Sequence, residues 1–589
     1  MQVLAGAEAT GDVVTVVDVL RTHATTPVVA ERSCAVLAAL CSASRGARVA
    51  ASEAGALAAV LSAMTSMPLT PAVQQRGCAA FVAMYADDTP PDVLQDGREA
   101  AMRIALAAMR VHPRDDGVQA ACCAALAALC DDPSDPQNQN CRAAQRLDAM
   151  RFVVAAMAMH MQVADVVRHA AAAIRAMSFD AGHKRRVAAC GALDMLVAAL
   201  AEHRLSLGVV QQCCETLRMV CTNDSGNARA AVAAGMLPGM QSVMRAHTAV
   251  VEPCFGTIEE LCSVARCDED DSPVAVPEAL CDAANQAVVA AMRAHPLNSA
   301  VQSAGIALLH KLMWNGAIAR NSMCKAGALK AILGAIRVGG IDESMRSDGA
   351  GVLVKLCSGH VAAKQAGPRV HVEALVAALK HPGPNVGSPA QICEMITELC
   401  LTSDGYSAAA CAASAPEAVV AALRASRDDA NVQETGCGAL ASMWTKDNDE
   451  LAAIVGAAGA IEEALLAMEK HAANERVAWA GCEVLGSVNA ANHARARAAG
   501  GVEAVVRAMR THTSCEGVQA TGCTALKRMC GATAETREYA ITAGALAAAR
   551  VAAASFADQG SDEAAWVAEE AKAAVEVLTG QERKRARED

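Results

Sequence analysis

One phrase of the chain returns at a regular interval, and this repeat constrains the fold more than any other feature. The segment at 108–130, AMRVHPRDDGVQAACCAALAALC, returns at 508–530 as AMRTHTSCEGVQATGCTALKRMC, and weaker copies lie at 291–313 and 422–444. The position of His112 defines thirteen markers about 44 residues apart, which stand at 23, 67, 112, 160, 203, 247, 295, 339, 382, 426, 471, 512 and 556. Such a period predicts an array of stacked structural units that bury one continuous core.

The pattern within each period predicts three helices. A glycine stands twelve residues before eight of the markers: Gly11, Gly55, Gly191, Gly235, Gly327, Gly459, Gly500 and Gly544. A glycine at a fixed place between two helical stretches indicates a sharp turn with positive φ. A short first helix precedes the turn, a second helix follows it, and a third helix carries the VQxxGCxALxxLC pattern after a short loop.

The composition supports an all-α fold. Apolar residues make up 53% of the chain and aromatic residues only 2%. Alanine and leucine have the highest helix propensities, whereas strands are enriched in aromatic and β-branched residues. The net charge of −12 disfavours binding to nucleic acid or anionic membranes, and no uninterrupted apolar stretch is long enough to span a bilayer. We therefore expect neither nucleic acid as a partner nor membrane insertion.

The short first helix, the glycine turn, the second helix and the VQxxxxxAL third helix together resemble the armadillo repeat over nearly the whole chain. HEAT repeats lack the regular glycine turn, so the eight glycines favour armadillo. The resemblance implies a right-handed α-solenoid of about 13 three-helix units, continuous over residues 1–589. The predicted units are 11–54, 55–99, 100–147, 148–190, 191–234, 235–282, 283–326, 327–369, 370–413, 414–458, 459–499, 500–543 and a C-terminal cap at 544–589.

Armadillo proteins bind extended peptides along a concave groove lined by third helices. In the importin-alpha class, a Trp and an Asn four residues later grip the peptide, but the matching positions here hold neither residue, so import-receptor chemistry is not expected. These positions carry only alanine in the first four units. The resulting candidates for a partner groove are Glu215, Met219, Glu260, Lys311, Lys355, Glu394, Glu398, Ser442, Glu483, Ser487 and Arg528.

Three long acidic connections between units offer a second candidate surface. They follow third helices at 85–93, 130–140 and 267–275 and contain no basic residue. They are either solvated loops or an acidic rim for a basic partner. The candidate rim residues are Asp87, Asp88, Asp131, Asp132, Asp268, Glu269, Asp270 and Asp271.

The cysteines and histidines predict structural roles. Fourteen of the 25 cysteines recur at two third-helix places seven residues apart, which puts them on one buried face but too far apart to share a metal ion. Histidine occupies eight markers at the end of the second helix, where its imidazole can bond the orphan carbonyls. No catalytic or phosphate-binding motif is present, so we expect no enzyme activity, no metal and no cofactor.

The N-terminus does not resemble a signal peptide, so we expect reduced thiols and a cytoplasmic location. The segment Lys584-Arg585-Ala586-Arg587 fits a short nuclear-localisation pattern, or it is a solvated cationic end to the last helix.

The function expected from these patterns is that of a monomeric, non-catalytic scaffold that binds a protein or an extended peptide along the third-helix groove. The expected ligand has mixed charge, with basic residues over Glu394 and Glu398 and acidic ones over Lys311 and Lys355. Two alternatives stay open: a substrate-recognition or regulatory subunit, as in a ubiquitin ligase or kinase complex, and a structural spacer of the cytoskeleton or cilium.

Overall fold

The fold is all-α. The computed structural model describes residues 1–86, 97–131, 138–264, 278–338, 341–358, 367–384, 386–444, 449–557 and 561–580. Over these residues there are 36 α-helices and one 3₁₀ turn, Thr248–Val250, and no strand. The prediction of an all-α chain is therefore confirmed.

The helices follow one another in the predicted three-helix order. First helices, which precede the turn, are Gln2–Thr10, Arg45–Glu53, Gln139–Arg146, Ala181–Ala189, Ser225–Ala233, Ala317–Ala326, Asp404–Ala412, Asp449–Ala457, Ala490–Ala498 and Ala534–Thr542. Second helices are Val13–Thr22, Ala56–Ser66, Arg98–Val111, Ala149–Met159, Ala192–Glu202, Met236–Ala246, Glu278–Ala294, Ala328–Ile336, Pro368–Lys380, Ala415–Ala425, Ala460–Lys470, Gly501–Thr511 and Ala545–Ser555. Third helices are Pro27–Ala43, Pro71–Met84, Asp116–Cys130, Ala164–Ala176, Leu207–Cys221, Val251–Val264, Ser299–Met313, Glu343–Cys357, Pro389–Thr402, Ala430–Met443, Glu475–Ser487, Glu516–Cys530 and Asp562–Thr579.

The chain forms two compact bodies, Met1–Ser322 and Met323–Asp589. In the N-terminal body each third helix packs against the third helix of the next unit, from Pro27–Ala43 to Ser299–Met313. In the C-terminal body the same stacking runs from Pro389–Thr402 to Asp562–Thr579. This is the nearest-neighbour packing of a repeat protein, in which each unit buries its apolar face against the next. A single continuous solenoid, its handedness and the number of units stay predictions.

The turn between first and second helices has the backbone conformation that the glycines predict. All eight turn glycines have positive φ, for example 89° at Gly235 and 98° at Gly459. Two other units reach the same conformation without glycine, since Asp148 has φ 55° and Ser414 has φ 60°. Aspartate tolerates the left-handed region better than most residues. The sequence did not indicate these two turns, because neither residue is diagnostic of positive φ.

The spacing between the glutamine of the VQ pattern and the marker position recurs along the chain, because this glutamine makes two hydrogen bonds to the end of the second helix. We call this pair of bonds a double cap. Gln119 is buried, and its Nε2 donates to the carbonyls of Met109 at 3.0 Å and His112 at 2.9 Å. Four more glutamines make the same pair of bonds within their own units: Gln74, Gln302, Gln433 and Gln519. Orphan carbonyls at the helix end thereby gain a donor.

The marker histidines bond to a different unit from the one expected. The Nε2 of His112 lies 2.8 Å from the carbonyl of Pro68, in the preceding unit. Because a carbonyl only accepts, the imidazole donates. Six further histidines make the same bond to the preceding unit at 2.6–2.9 Å: His160, His203, His247, His295, His471 and His512. The prediction that histidine caps its own second helix is wrong for these seven residues, because the carbonyl that each imidazole meets belongs to the preceding unit.

The glycine of the VQxxG pattern makes room for the second helix. A Cβ atom built on Gly481 would lie 2.3 Å from Cγ of Met468, and one on Gly522 would lie 2.7 Å from Cγ of Met509. Glycine inside a helix is unfavourable by about 1 kcal/mol relative to alanine. Close packing of a long second-helix side chain against the third-helix backbone explains why glycine stands there.

The cysteines pack in the core as predicted. All the described cysteines are free thiols, and only Cys190, Cys324 and Cys515 among them are partly exposed. The Sγ atoms of Cys78 and Cys122, on neighbouring third helices, are 3.6 Å apart. Burial raises the pKa of Cys123 to about 12. Such thiols are protonated at neutral pH and behave as small apolar side chains.

Candidate functional site

A groove across the third helices of the C-terminal body contains several of the predicted residues. Its volume is about 350 Å³. Five successive third helices contribute to its wall, from Pro389–Thr402 to Asp562–Thr579. The lining residues are Thr397, Leu401, Gly438, Ala441, Ser442, Cys482, Glu483, Gly486, Ser487, Thr521, Thr524, Arg528 and Trp566. Four of the eleven predicted groove residues therefore lie together: Ser442, Glu483, Ser487 and Arg528.

Helical spacing and stacking bring these side chains to one surface. Glu483 and Ser487 are four residues apart on the helix Glu475–Ser487, so they lie on one face. Thr524 and Arg528 repeat that spacing on the next third helix, Glu516–Cys530, which packs directly against it. Small residues at the groove positions of the neighbouring helix leave the surface open.

Glu483 is the carboxylate of this groove. Its side chain is half-buried, and burial raises its pKa. Within the described part of the chain no ion pair or hydrogen bond holds its carboxylate. Arg528, on the facing helix, instead donates to the backbone carbonyl of Gly486. The groove thus contains a partly desolvated negative charge without a basic neighbour to neutralise it, which is unfavourable unless a cation joins it.

The wall beyond Arg528 is polar and already satisfied. The carboxylate of Glu570 accepts from Thr524 at 2.8 Å and from Lys527 at 2.7 Å. Burial raises the pKa of Glu570, but the hydrogen bonds from Lys527 and Thr524 outweigh it, so the pKa is lower than usual. These contacts hold the side chains of Thr524, Lys527 and Glu570 together at this end of the groove. Unlike the carboxylate of Glu570, that of Glu483 is not neutralised by a described basic residue.

Two tryptophans belong to this surface, and the sequence reading did not single them out. Trp566 lines the groove and is 45% exposed. Trp479 lies one turn before Glu483 on the same helix, is 43% exposed, and its ring packs over Gly517 of the next third helix. Tryptophan is enriched at binding surfaces. The chain has only 4 tryptophans, and this rarity is the sequence feature that could have indicated these two residues.

The other candidates of the C-terminal body are exposed and lie outside the groove lining. Glu394 and Glu398 project one turn apart from the helix Pro389–Thr402, which supplies Thr397 and Leu401 to the groove. Their carboxylates make no ion pair with the described residues. Lys355 is likewise exposed, on the helix Glu343–Cys357. The helix Pro389–Thr402 therefore carries two exposed acidic side chains outside the groove lining.

In the N-terminal body the candidates make contacts within the chain or remain solvated. The ammonium of Lys311 lies 2.7 Å from the carboxylate of Glu259, on the neighbouring third helix. The carboxylate of Glu260 accepts from the backbone N–H of Asn223 at 3.3 Å. Glu215 is exposed and Met219 is half-buried. A role of Lys311 toward an acidic ligand stays a prediction, although its charge already has a partner.

Most of the predicted acidic rim lies outside the described residues. Asp131 is described, and its carboxylate lies 3.2 Å from the guanidinium of Arg175. The rim candidates outside the described residues are Asp87, Asp88, Asp132, Asp268, Glu269, Asp270 and Asp271. The segment 584–587 also lies outside them.

Among the described residues, no group of three or more His, Cys, Asp or Glu side chains could hold a metal ion. No single described helix is long and apolar enough to cross a membrane, although three helix pairs, each bent by 55–71°, reach that length and composition when combined.

The similarities found with known proteins are to solved structures, at low sequence identity. No protein-family model and no curated protein matches it. Among solved structures, it is similar to an engineered protein at 15% identity and TM-score 0.34, covering 82% of this chain and 99% of that one. A second engineered protein has 23% identity and TM-score 0.34, covering 43% and 98%.

A third similar chain belongs to a solved structure that is described by the words "A conserved phosphorylation switch controls the interaction between cadherin and beta-catenin in vitro and in vivo". It has 14% identity and TM-score 0.44 and covers 96% of this chain and 98% of that one.

Proposed function

We propose that this protein is a non-catalytic interaction scaffold that binds an extended, cation-bearing protein segment along the third-helix face of its C-terminal body. The observation that carries the proposal is the groove of about 350 Å³ across five third helices, with Glu483 unneutralised inside it. A groove shared by successive units suits an extended ligand, because each unit adds a modest contact at a regular interval.

The charges favour a basic ligand segment. Glu394, Glu398 and Glu483 are acidic, whereas the guanidinium of Arg528 is already bonded to Gly486. A lysine or arginine of the ligand would lie against Glu483 and stabilise its charged form. Trp566 offers an aromatic face in the same groove lining, to which a cation is attracted. Exposed acids on the first helix of the groove would extend the same preference along the segment.

The test is a peptide-display selection against the purified protein, followed by affinity measurement on an enriched peptide. We expect the wild-type protein to enrich peptides containing lysine or arginine. The double variant Glu394→Lys and Glu398→Lys should bind an enriched peptide at least tenfold more weakly, which corresponds to about 1.4 kcal/mol.

Glu483→Gln tests the centre of the groove separately. It should weaken the same peptide and raise the melting temperature at neutral pH, because it removes a partly buried charge. The matched control is Glu417→Lys with Glu469→Lys, two exposed glutamates on second helices of the same body. Enrichment of peptides without basic residues, or equal loss in the control, would contradict the proposal.

We also propose that the protein works without catalytic activity in the cytosol or nucleus. The free thiols of the described cysteines support a reducing compartment. Fractionation of cells that express the tagged chain would test the location, and recovery in a secreted or membrane fraction would refute it.

A further inference from the structure

The first helices of three successive units in the N-terminal body carry only positive charge. Gln139–Arg146, Ala181–Ala189 and Ser225–Ala233 contain no aspartate or glutamate, in a chain whose net charge is −12. The basic edge that they form with the start of the following second helix consists of Arg142, Arg146, Arg151, Arg185, Arg186 and Arg229. Lys184 belongs to the same helices, but it is half-buried and donates to the carbonyl of Thr222 at 2.7 Å.

Contacts between these helices make the basic edge continuous. The amide of Asn227, on the last of the three, donates to the carbonyl of Lys184 on the middle one at 2.8 Å. The first and middle helices line a common crevice through Gln145 and His183. Arg151 and Arg186 both act on the Cys190 thiol: burial and the carboxylate of Asp148 raise the pKa of this thiol, and the two guanidinium groups oppose that rise. The arginines of adjacent units therefore lie near one another.

Most of these arginines have no acidic partner on the surface described here. All six are exposed, and the one that forms an ion pair with a described residue is Arg146, 2.9 Å from Glu99. Arg229 donates to the neutral hydroxyl of Ser225 at 3.3 Å. Arg32 of the same body, by contrast, is paired with Glu8. A run of like charges without counter-charges is self-repulsive, and an anionic partner would relieve it.

A crevice within the basic edge contains a buried histidine, His183, of which one ring nitrogen has a partner and the other has none among the described residues. The side chain of His183 is 8% exposed, and its Nδ1 lies 2.6 Å from the carboxylate of Asp180. Burial raises the pKa of Asp180, but the hydrogen bonds from His183 outweigh it and hold the pKa lower than usual, so the carboxylate accepts and Nδ1 donates.

The other ring nitrogen, Nε2, is buried and bonds to none of the described residues. His183 contributes to the wall of a cavity of about 30 Å³, together with Gln145, Asp148, Arg186 and Cys190. Asp148 is the acidic group of this lining, and Arg186 is its cation. This volume suits about one water-sized group, and Nε2 would accept a hydrogen bond from it, since Nδ1 already donates to Asp180.

We infer that the basic edge is a second docking surface, distinct from the third-helix groove, and that it binds an acidic protein segment rich in aspartate or glutamate. Several exposed arginines provide the attraction, since guanidinium groups bind carboxylates in a bidentate manner. The groove binds the opposite charge, so one chain would bring a basic and an acidic segment into the same assembly.

The test uses a dye-labelled oligoglutamate peptide and the full-length protein at low ionic strength. The wild-type protein should bind it, and the triple variant Arg142→Glu, Arg185→Glu and Arg186→Glu should bind at least tenfold more weakly. Added salt should weaken binding to the wild-type protein, because exposed charges are screened over about 10 Å at 0.1 M ionic strength.

The matched control is Arg45→Glu, Arg76→Glu and Arg114→Glu, which changes the net charge equally at three exposed arginines of the same body. This control and the variant Glu394→Lys with Glu398→Lys should both retain oligoglutamate binding. That result would show that the basic edge binds the peptide independently of the third-helix groove. No binding by the wild-type protein, or equal loss in the control triple, would overturn it. Tighter binding of duplex DNA or phosphatidylserine vesicles than of oligoglutamate at the same arginines would also overturn it, because the partner would then not be a protein segment.

Discussion

Replacing Gln302 by methionine should destabilise the N-terminal body measurably. Gln302 is 2% exposed, and its Nε2 donates to the carbonyls of Met292 and His295, both at 2.8 Å. Methionine has a similar length and flexible packing but no donor, so the substitution removes two hydrogen bonds and little apolar contact.

The expected magnitude follows from those two bonds. Each contributes about 0.5–1.5 kcal/mol net, and a buried carbonyl left without a donor adds to the loss. Gln302→Met should therefore lower the free energy of unfolding by about 2–3 kcal/mol. The effect should be local in origin, since it releases the end of the helix Glu278–Ala294 from the helix Ser299–Met313.

Urea unfolding followed by far-UV circular dichroism measures the change, with equal slopes required for the comparison. Hydrogen exchange should show faster exchange near the end of the second helix. The control is Gln162→Met, an exposed loop glutamine of the same body that makes no such bonds in the described structure. A Gln302→Met protein within about 0.5 kcal/mol of the wild type would refute the double-cap reasoning, because that is the range of ordinary surface substitutions.

Four further substitutions test the turns, the packing and the titration of the core. Gly235→Val and Gly459→Val should each lower stability by more than about 1 kcal/mol, because a β-branched residue is strained at φ 89° and 98°; unchanged melting of both would contradict this. Gly481→Ala should destabilise the protein by about 1–3 kcal/mol through overpacking against Met468, despite the better helix propensity of alanine. The loss should shrink in a Met468→Ala background, and an equal loss there would show that the clash is not the cause. Burial lowers the pKa of His371, and a backbone group at Cys357 opposes this only in part. The unfolded state then binds more protons, so this stability is present above about pH 6.5 and is lost as the pH falls below it. His371→Phe should flatten the melting temperature between about pH 7 and 5, and an unaltered profile would exclude His371 as its source.

The sequence by itself determined the local architecture. The period of about 44 residues, the three-helix order and the eight turn glycines are properties of short segments, so they can be read without knowing which segments touch. Apolar spacing likewise put the cysteines on the buried face. The turns at Asp148 and Ser414 were not predicted from the sequence, because the surrounding structure imposes positive φ on residues that adopt it only rarely.

Four of the eleven groove candidates lie together because helical spacing alone defines the exposed face of a third helix. Which residues complete that face depends on how neighbouring helices are offset. Trp566 enters the groove from the last third helix, and Lys311 reaches Glu259 on an adjacent one. Neither contact follows from spacing within a single unit.

Only the tertiary structure decided what the marker histidines bond to. Spacing along the chain placed His112 at the end of its own helix, but the carbonyl it meets belongs to Pro68, 44 residues earlier. The same is true of the basic edge, where arginines from three units become neighbours through stacking. A periodic sequence specifies each unit through short-range preferences, whereas contacts between units depend on the rotation and offset of stacking, which no single repeat contains.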